Sequence, residues 1–302
     1  MAAVQSVSLS SLPEFKLNHI LAATDFSECS LHALQQAAAI ARLHGSDLLV
    51  VHAIAPQPII QNAMEPAGWD LGDVRGQARE EMTKKEIVEM LAGVPHWTMV
   101  ENGDLQDVLG TLVKEREISL VVVGTHGRSG FKKLLIGSLA EKILRTTECA
   151  VLTVGPAEPA ALFTHGKFES VLFATDFSHG SMQALLFAAG FAKESHARLT
   201  LLHVVEDSSV TALYIHKQLV EEAGKRLEDI ARGLGIGSER KIVTGLPIDE
   251  ILRAADSAKA DLIVMGVHKS HGIGARAAAH LPWTIAQSVV CRAKCPVLTV
   301  KG

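Results

Sequence analysis

The chain has 302 residues, of which 48% are hydrophobic and 21% charged, and its formal net charge is -4 at pH 7. This balance is typical of a globular protein long enough for two domains of ordinary size, and it excludes a general electrostatic surface for nucleic acid. Because no apolar run is long enough to span a membrane and residues 1–12 lack a signal-peptide pattern, we expect a cytoplasmic protein that binds neither membrane nor nucleic acid.

The first half of the chain alternates buried strands with amphipathic helices. After a stretch rich in Ser and Ala, taken as a mobile tail, short apolar runs predict strands and helical spacing of apolar residues predicts helices. The expected strands cover 20–23, 47–54, 96–100, 121–123 and 150–154, and the expected helices follow Ser27 or cover 75–91, 105–116 and 139–145. The first helix is expected to bury Leu31, Leu34, Ala38 and Ala41. Alternation of this kind predicts a doubly wound, five-stranded parallel sheet.

The second half of the chain repeats the first. The sequence Ala-Thr-Asp-Phe-Ser occurs at 23–27 and again at 174–178, and Val-Leu-Thr-Val occurs at 151–154 and again at 297–300. Between the two halves, a stretch with two prolines that begins at Pro156 is typical of a linker. The duplication predicts two tandem α/β domains, over 1–155 and 166–302.

A glycine-rich segment follows the fourth strand of the first half. Gly124, Gly127 and Gly137, with Ser138 directly after, have the spacing Gly-x2-Gly-x9-Gly-Ser, and Gly130 lies within it. Glycines allow close backbone approach, and Ser138 is a good N-cap, so loop amides and a helix N-terminus would face one anion site. The pattern is neither a P-loop nor a dinucleotide fingerprint. It predicts a phosphate cradle, with a merely flexible turn as the alternative for the loop alone.

The repeated Ala-Thr-Asp-Phe-Ser, the glycine spacing and the short final strand together resemble the universal stress protein family, in its ATP-binding branch. The resemblance implies two Rossmann-like domains of the adenine nucleotide alpha hydrolase type, with ATP and a Mg or Mn ion in the first. The positions that it carries onto this chain are Ala23, Thr24, Asp25, Ala53, Val123, Gly124, His126, Gly127, Gly137, Ser138 and Leu139. Arg128 adds positive charge beside the loop. For Asp25, a structural role as helix N-cap is the alternative.

The resemblance implies a regulatory protein of the stress response, in which ATP occupancy alters conformation or association. The alternative is a slow ATPase or nucleotide-transfer enzyme on the same fold. We assign no catalytic residue, because His126 is the only loop side chain with suitable chemistry. A third interpretation, a dimerisation module without a ligand, fits the second half better.

The two halves are expected to differ at the nucleotide loop. Lys269 stands where the first half has Gly127, and alignment of the last helices places Trp283 where the first half has Gly137. An indole there would fill the space that a phosphate needs, which predicts a degenerate second site. The alternative is a differently shaped cradle made by Gly272 and Gly274.

Further expectations concern assembly, metals and thiols. In the family the last strand pairs across a twofold axis, so residues 151–154 are expected to pair with 297–300 as an internal pseudo-dimer, and homodimerisation is left open. His268, His271 and His280 lack a completing ligand spacing, so no metal ligand is predicted. His52 and His203, at equivalent strand ends, are expected to be structural. The four cysteines lack Cys-x-x-Cys spacing and are expected to be buried thiols.

Overall fold

The computed structural model describes residues 15–55, 71–125, 138–155, 166–206, 213–267 and 280–302. The predicted tail, most of the glycine loop and the predicted linker lie outside these ranges. The chain divides into two compact units, one formed by Leu17–Gly166 and one formed by residues 15–16 with Lys167–Gly302. Among the described residues, no helix is both long and apolar enough to cross a membrane.

The first unit is a parallel sheet with helices between its strands. Its elements are β1 (His19–Ala23), α1 (Glu28–His44), β2 (Asp47–Ile54), α2 (Leu71–Met82), α3 (Lys85–Leu91), β3 (His96–Asn102), α4 (Leu105–Glu115), β4 (Leu120–Gly124), α5 (Ser138–Thr146) and β5 (Ala150–Val154). The strand order is β3-β2-β1-β4-β5, and every described pair is parallel. The order reverses between β1 and β4, which opens a crevice at their carboxyl ends.

The second unit has the same architecture. Its elements are β6 (Ser170–Ala174), α6 (His179–Ser195), β7 (Arg198–Val205), α7 (Leu213–Leu234), β8 (Ser238–Thr244), α8 (Pro247–Ala258), β9 (Leu262–Val267), α9 (His280–Arg292) and β10 (Val297–Lys301). The order β10-β9-β6-β7-β8 is again parallel in every described pair. The predicted fold class, two tandem doubly wound parallel sheets, is confirmed.

The central strands are buried because helices cover both faces of each sheet. Val121 and Val122 in β4 and Leu172 and Phe173 in β6 have no measurable exposure. Glycines at equivalent strand ends frame the same segment of each unit, and the segment has the same length in both. It runs from Gly103 to Gly124 in the first unit and from Gly245 to Gly266 in the second. This equal spacing allows the two units to be compared position by position from β3 to β4.

Two helix predictions were incomplete. The single helix expected over 75–91 is two helices, α2 and α3, because Lys84 takes an extended conformation with φ -58° and ψ 142°. The face predicted for α1 was too narrow: Ala33, Ala37 and Ile40 are buried as well, while Leu31 is only half-buried. The cause is that α1 contacts β1, β2, β4, β5 and α3.

An aromatic cluster in the second unit includes a residue from the beginning of the chain. The Phe15 ring lies edge-on to Phe187 and Phe191, with centroid distances of 5.6 and 5.1 Å. Phe168 meets Phe191 from the other side at 5.2 Å. The segment around Phe15, which the sequence assigned to the domain over 1–155, thus packs in the second unit.

Candidate functional site

A cavity of about 180 Å³ lies at the carboxyl ends of β1, β2 and β4, where the strand order reverses. Six predicted site residues line it: Ala23, Thr24, Asp25, Ala53, Val123 and Gly124. Sequence reasoning missed the remaining lining residues, which are Ser30, Ala55, Gly103, Asp104, Leu105, Thr125, Ala140 and Ile143. Ligands of open α/β sheets bind at such a crevice, so this cavity is the candidate site.

Hydroxyl groups fix the backbone that carries Asp25. Ser30 Oγ donates to the Ser27 carbonyl (3.0 Å), so the Thr24 hydroxyl is the donor in the 3.1 Å bond to Ser30 Oγ. Thr24 Oγ1 in turn accepts from the Phe26 amide (3.0 Å), and Ser30 Oγ accepts from the Asp25 amide (3.3 Å). Because Thr24 and Ser30 are buried, these bonds hold the turn after β1 in one conformation.

Asp25 is not the helix N-cap that sequence reasoning offered as its structural role. Ser27 is the N-cap of α1, and its hydroxyl accepts from the Ser30 amide at 3.3 Å. The carboxylate of Asp25 accepts from both the amide (3.0 Å) and the hydroxyl (2.5 Å) of Ser27. Asp25 therefore orients the cap residue while it also lines the cavity.

Phe26 holds a backbone conformation that costs free energy. Its φ is 63°, in the left-handed region that non-glycine residues seldom adopt. The ring lies 4.7 Å from the His52 ring at a tilt of 32°, and His52 Nδ1 is 2.8 Å from the Thr24 carbonyl oxygen, so Nδ1 donates. The stack ties the end of β2 to the turn after β1, which supports the structural role predicted for His52.

Gly124 allows β4 to approach the first turn of α1. A Cβ at this position would lie 3.0 Å from the Cys29 carbonyl carbon, oxygen and Sγ. The Cys29 thiol itself donates to the Val154 carbonyl at 3.3 Å. Close packing against α1 thus favours glycine at position 124, where the residue also lines the cavity.

The loop between β3 and α4 forms the wall that sequence reasoning missed. The Gly103 amide donates to the Ile54 carbonyl (3.0 Å), and Gly103 has a φ of 144°. Asp104 is the N-cap of α4, since its carboxylate accepts from the Gln106 amide at 3.0 Å, and Lys142 Nζ lies 3.6 Å from its other oxygen. The Gly-Asp pair before a helix was a signal for the cap, although it gave no sign that the loop faces the cavity.

The phosphate side of the predicted site lies largely outside the described residues. This applies to His126, Gly127, Arg128, Gly130 and Gly137. Ser138 and Leu139 form the start of α5, next to Ala140, which lines the cavity. The cradle predicted from the glycine spacing therefore stays a prediction.

The second unit has an equivalent cavity of about 210 Å³ with the same hydrogen bonds around it. Thr175 Oγ1 lies 3.0 Å from Ser181 Oγ, and Asp176 accepts from the amide and hydroxyl of Ser178 at 3.0 and 2.5 Å. Phe177 has a φ of 61°. The framework of the turn is thus duplicated together with its backbone strain.

A histidine stack accompanies this turn too. His203 lies 4.4 Å from the Phe177 ring, its Nδ1 donates to the Thr175 carbonyl (2.8 Å), and burial lowers the pKa of the imidazole. Arg226, on α7, has its Cζ atom 5.4 Å from the centre of the Phe177 ring. His203 thus has the structural role that was predicted for it.

Side chains at the rim of the second cavity differ from those in the first. Val204, Glu206 and Met265 occupy the positions of Ala53, Ala55 and Val123. Glu206 brings a carboxylate to the strand end that is apolar in the first unit. The two cavities therefore share a backbone framework and differ in charge and shape.

Metal and thiol chemistry have little support in the described ranges. There, no group of three His, Cys, Asp or Glu side chains could hold a metal ion, while His268 and His271 lie outside them. The four cysteines form no disulfide, and Cys29 and Cys295 are buried. Burial raises the pKa of Cys149 to about 12, which keeps this thiol protonated and a poor nucleophile.

Comparison with known proteins agrees with the duplicated architecture. A model of the universal stress protein family matches residues 16–155 and again residues 167–301. A universal stress protein of Methanocaldococcus jannaschii is 31% identical over 138 residues, covering 45% of this chain and 80% of that protein. One from Mycolicibacterium smegmatis is 26% identical over 292 residues, covering 93% of this chain and 96% of its own. The chain therefore belongs to the universal stress protein family.

A solved structure has the same fold over most of the chain. The crystal structure of a universal stress protein from Archaeoglobus fulgidus has a TM-score of 0.72 and 22% identity, covering 95% of this chain and 99% of that one. The tandem arrangement of two Rossmann-like domains is thus shared by a solved protein.

Proposed function

We propose that the first domain binds an adenine nucleotide, ATP with Mg or Mn, in the cavity at the ends of β1, β2 and β4. The observation that carries this proposal is the meeting of Asp25, Ala53 and Gly124 in one cavity directly before the glycine loop. An apolar slot beside a carboxylate suits a base and a ribose, and the loop that follows β4 suits phosphates.

Nucleotide occupancy would act as a regulatory signal in the stress response of the cell, and we place the protein in the cytoplasm. The turn after β1 supports this role, because strained Phe26 and the hydroxyls of Thr24 and Ser30 connect the cavity to α1. A bound ligand that contacts Asp25 would bias the conformation of this turn, and a partner could recognise the change.

Hydrolysis is expected to be slow. In the described part of the cavity the carboxylates are Asp25, which accepts two bonds from Ser27, and Asp104, which caps α4. Both are committed to structure, so neither is set to activate a water. We expect turnover below the usual enzyme range of roughly 1 per second; faster turnover would favour the enzymatic alternative.

A matched pair of tryptophan variants tests the site. Ala53→Trp fills the first cavity, and Val204→Trp makes the same change at the equivalent position of the second. Titration calorimetry with ATP and Mg should show binding lost in the first variant and retained in the second. Gly137→Trp should abolish binding as well, by filling the predicted cradle. ATP binding that survives Ala53→Trp unchanged would refute the assignment.

A further inference from the structure

A second concave site lies at the amino ends of the strands of the first sheet, opposite the cavity at their carboxyl ends. It has a volume of about 540 Å³, within the range of small-molecule pockets, and is three times as large as the cavity at the carboxyl ends. Ile20, Leu49 and Ile118 are buried beneath it, while the Trp97 ring is 58% exposed beside half-buried Met99. We call this site, at the amino ends of β1, β2 and β3, the Trp97 groove.

The duplicated domain shows that the fold does not require these side chains. Trp97 pairs with Leu49 in the sheet, and the equivalent pair in the second unit is Glu239 with Thr200. Met99 is likewise replaced by Lys241. Charged residues on an edge strand are the usual protection against unwanted pairing, and β8 has them. The first unit instead exposes an indole and a thioether on the same fold.

Arg116 supplies a charge at the edge of this apolar surface. It follows the last residue of α4 and continues the stripe of buried Leu112 and Val113, which directs it toward the sheet. It lines the groove, and although its backbone amide donates to the Leu112 carbonyl, its guanidinium makes no hydrogen bond or ion pair with a described residue. The carbonyl end of α4 stabilises the guanidinium there. The second unit has Ala258 at this position.

The other charged groups of the rim differ in placement. His19 Nδ1 lies 3.6 Å from Asp47 Oδ2, so these two side chains are paired with each other. Lys114, Glu115 and Glu117 are exposed, as Arg116 is, and flank the groove with mixed sign. Arg116 is therefore the cation best directed to a ligand that lies on Trp97.

We propose that the Trp97 groove binds a small planar aromatic acid. Its ring stacks on the indole of Trp97 and against the thioether of Met99, both of which favour aromatic partners. Its carboxylate pairs with the Arg116 guanidinium, whose planar fork matches two carboxylate oxygens. The site is separate from the proposed nucleotide cavity and does not depend on it.

The full-length protein can be tested with 2-naphthoate as the probe and 2-naphthamide as its uncharged counterpart, by ligand-observed NMR titration. We expect saturable binding of the acid at one site and at least about tenfold weaker binding of the amide. Equal affinity of the two compounds, or no saturable binding in the millimolar range, would overturn the proposal.

Variants that install the residues of the second domain provide folded controls. Trp97→Glu and Arg116→Ala should each weaken binding of the acid at least about tenfold, while Glu115→Ser, which removes a negative charge from the rim, should not weaken it. Unchanged binding in Trp97→Glu would place the probe elsewhere and refute the site. If Trp97→Glu alters the sedimentation of the protein and the probe does not bind, the groove is a self-association surface and the proposal is wrong. Circular dichroism confirms that each variant is folded.

Discussion

At the scale of single residues, the equivalent glycines Gly124 in β4 and Gly266 in β9 differ in the room that they leave for a side chain. A Cβ at Gly266 would lie 2.3 Å from the Ser181 amide nitrogen and 2.4 Å from the Gly180 carbonyl carbon, whereas at Gly124 the nearest atoms are at 3.0 Å. Since real Cβ atoms do not approach a backbone to 2.3 Å, α6 would have to move away from β9. In the first unit, a Cβ at Gly124 would require only a small shift of the neighbouring Cys29 atoms.

We expect Gly266→Ala to lower the free energy of unfolding by about 3 kcal/mol and Gly124→Ala by about 1 kcal/mol, as overpacking does. Urea unfolding of both variants and of the wild type measures the difference. Equal losses in the two variants would show that the approach of β9 to α6 is looser than described.

A histidine at the end of α1 gives stability a dependence on pH. Burial lowers the pKa of His44 from 6.5 to about 4, which outweighs the helix C-terminus that would favour the cation. Between pH 6.5 and about pH 4, His44 therefore binds a proton in the unfolded chain but not in the folded chain. The contribution of neutral His44 to the free energy of unfolding is complete above pH 6.5 and is lost as the pH falls toward 4.

The test compares His44→Gln with the wild type across this range. Because His44 is only half-buried, the screened effect is about 1 kcal/mol. The stability difference between wild type and variant should shift by this amount, to the disadvantage of the wild type, between pH 7 and pH 4.5. A difference that does not change with pH would contradict the neutral state of His44.

At the scale of elements, the break between α2 and α3 is a weak point. Lys84 occupies the N-cap of α3 without a side-chain hydrogen bond, and its ion pair with Glu81 is exposed. Ser accepts from backbone amides at such positions, so Lys84→Ser should raise the free energy of unfolding by about 1 kcal/mol. Lys85→Ser, one residue inside the helix, is the control and should not stabilise. A thermal midpoint that falls in Lys84→Ser would show that the ion pair outweighs the cap.

The break between α2 and α3 is also a feature that the sequence alone did not predict. Strands β2 and β5 were predicted to the residue, because buried apolar runs have clear limits. The break at Thr83 and Lys84 has neither glycine nor proline, so no local signal marks it. Sequence reasoning missed the wall formed by Gly103 and Asp104 for another reason. This wall reaches the cavity because β3 lies two strands from β1 in the sheet, and strand order is a property of the folded sheet. The capping role that was the alternative for Asp25 is performed by Ser27, two residues later.

At the scale of the whole molecule, the two domains are expected to differ in ligand binding. Both keep the hydroxyl framework, but Glu206 and Met265 change the second cavity, and Lys269 and Trp283 replace glycines of the loop. We therefore expect one ATP per chain. Equilibrium dialysis measures the ratio, and two equivalent sites would contradict the divergence of the domains.

Assembly through the last strands also stays a prediction. Residues 151–154 and 297–300 have the same apolar sequence, and each strand needs a partner on its outer edge. We expect slow amide exchange along both edges at protein concentrations where the chain is monomeric. Protection that appears only on raising the concentration would indicate pairing between chains instead.

The equal length of the segment between the strand-end glycines has a consequence for how such a gene can change. An exchange of Gly103 to Gly124 for Gly245 to Gly266 inserts and deletes nothing, and both junctions fall on glycines at the same edge of their sheets. Recombination between the two halves of one gene could therefore move α8 and β9, with their cavity wall, into the first domain in a single step. In a duplicated gene of this kind, such an exchange could give one domain a new ligand site without any insertion or deletion.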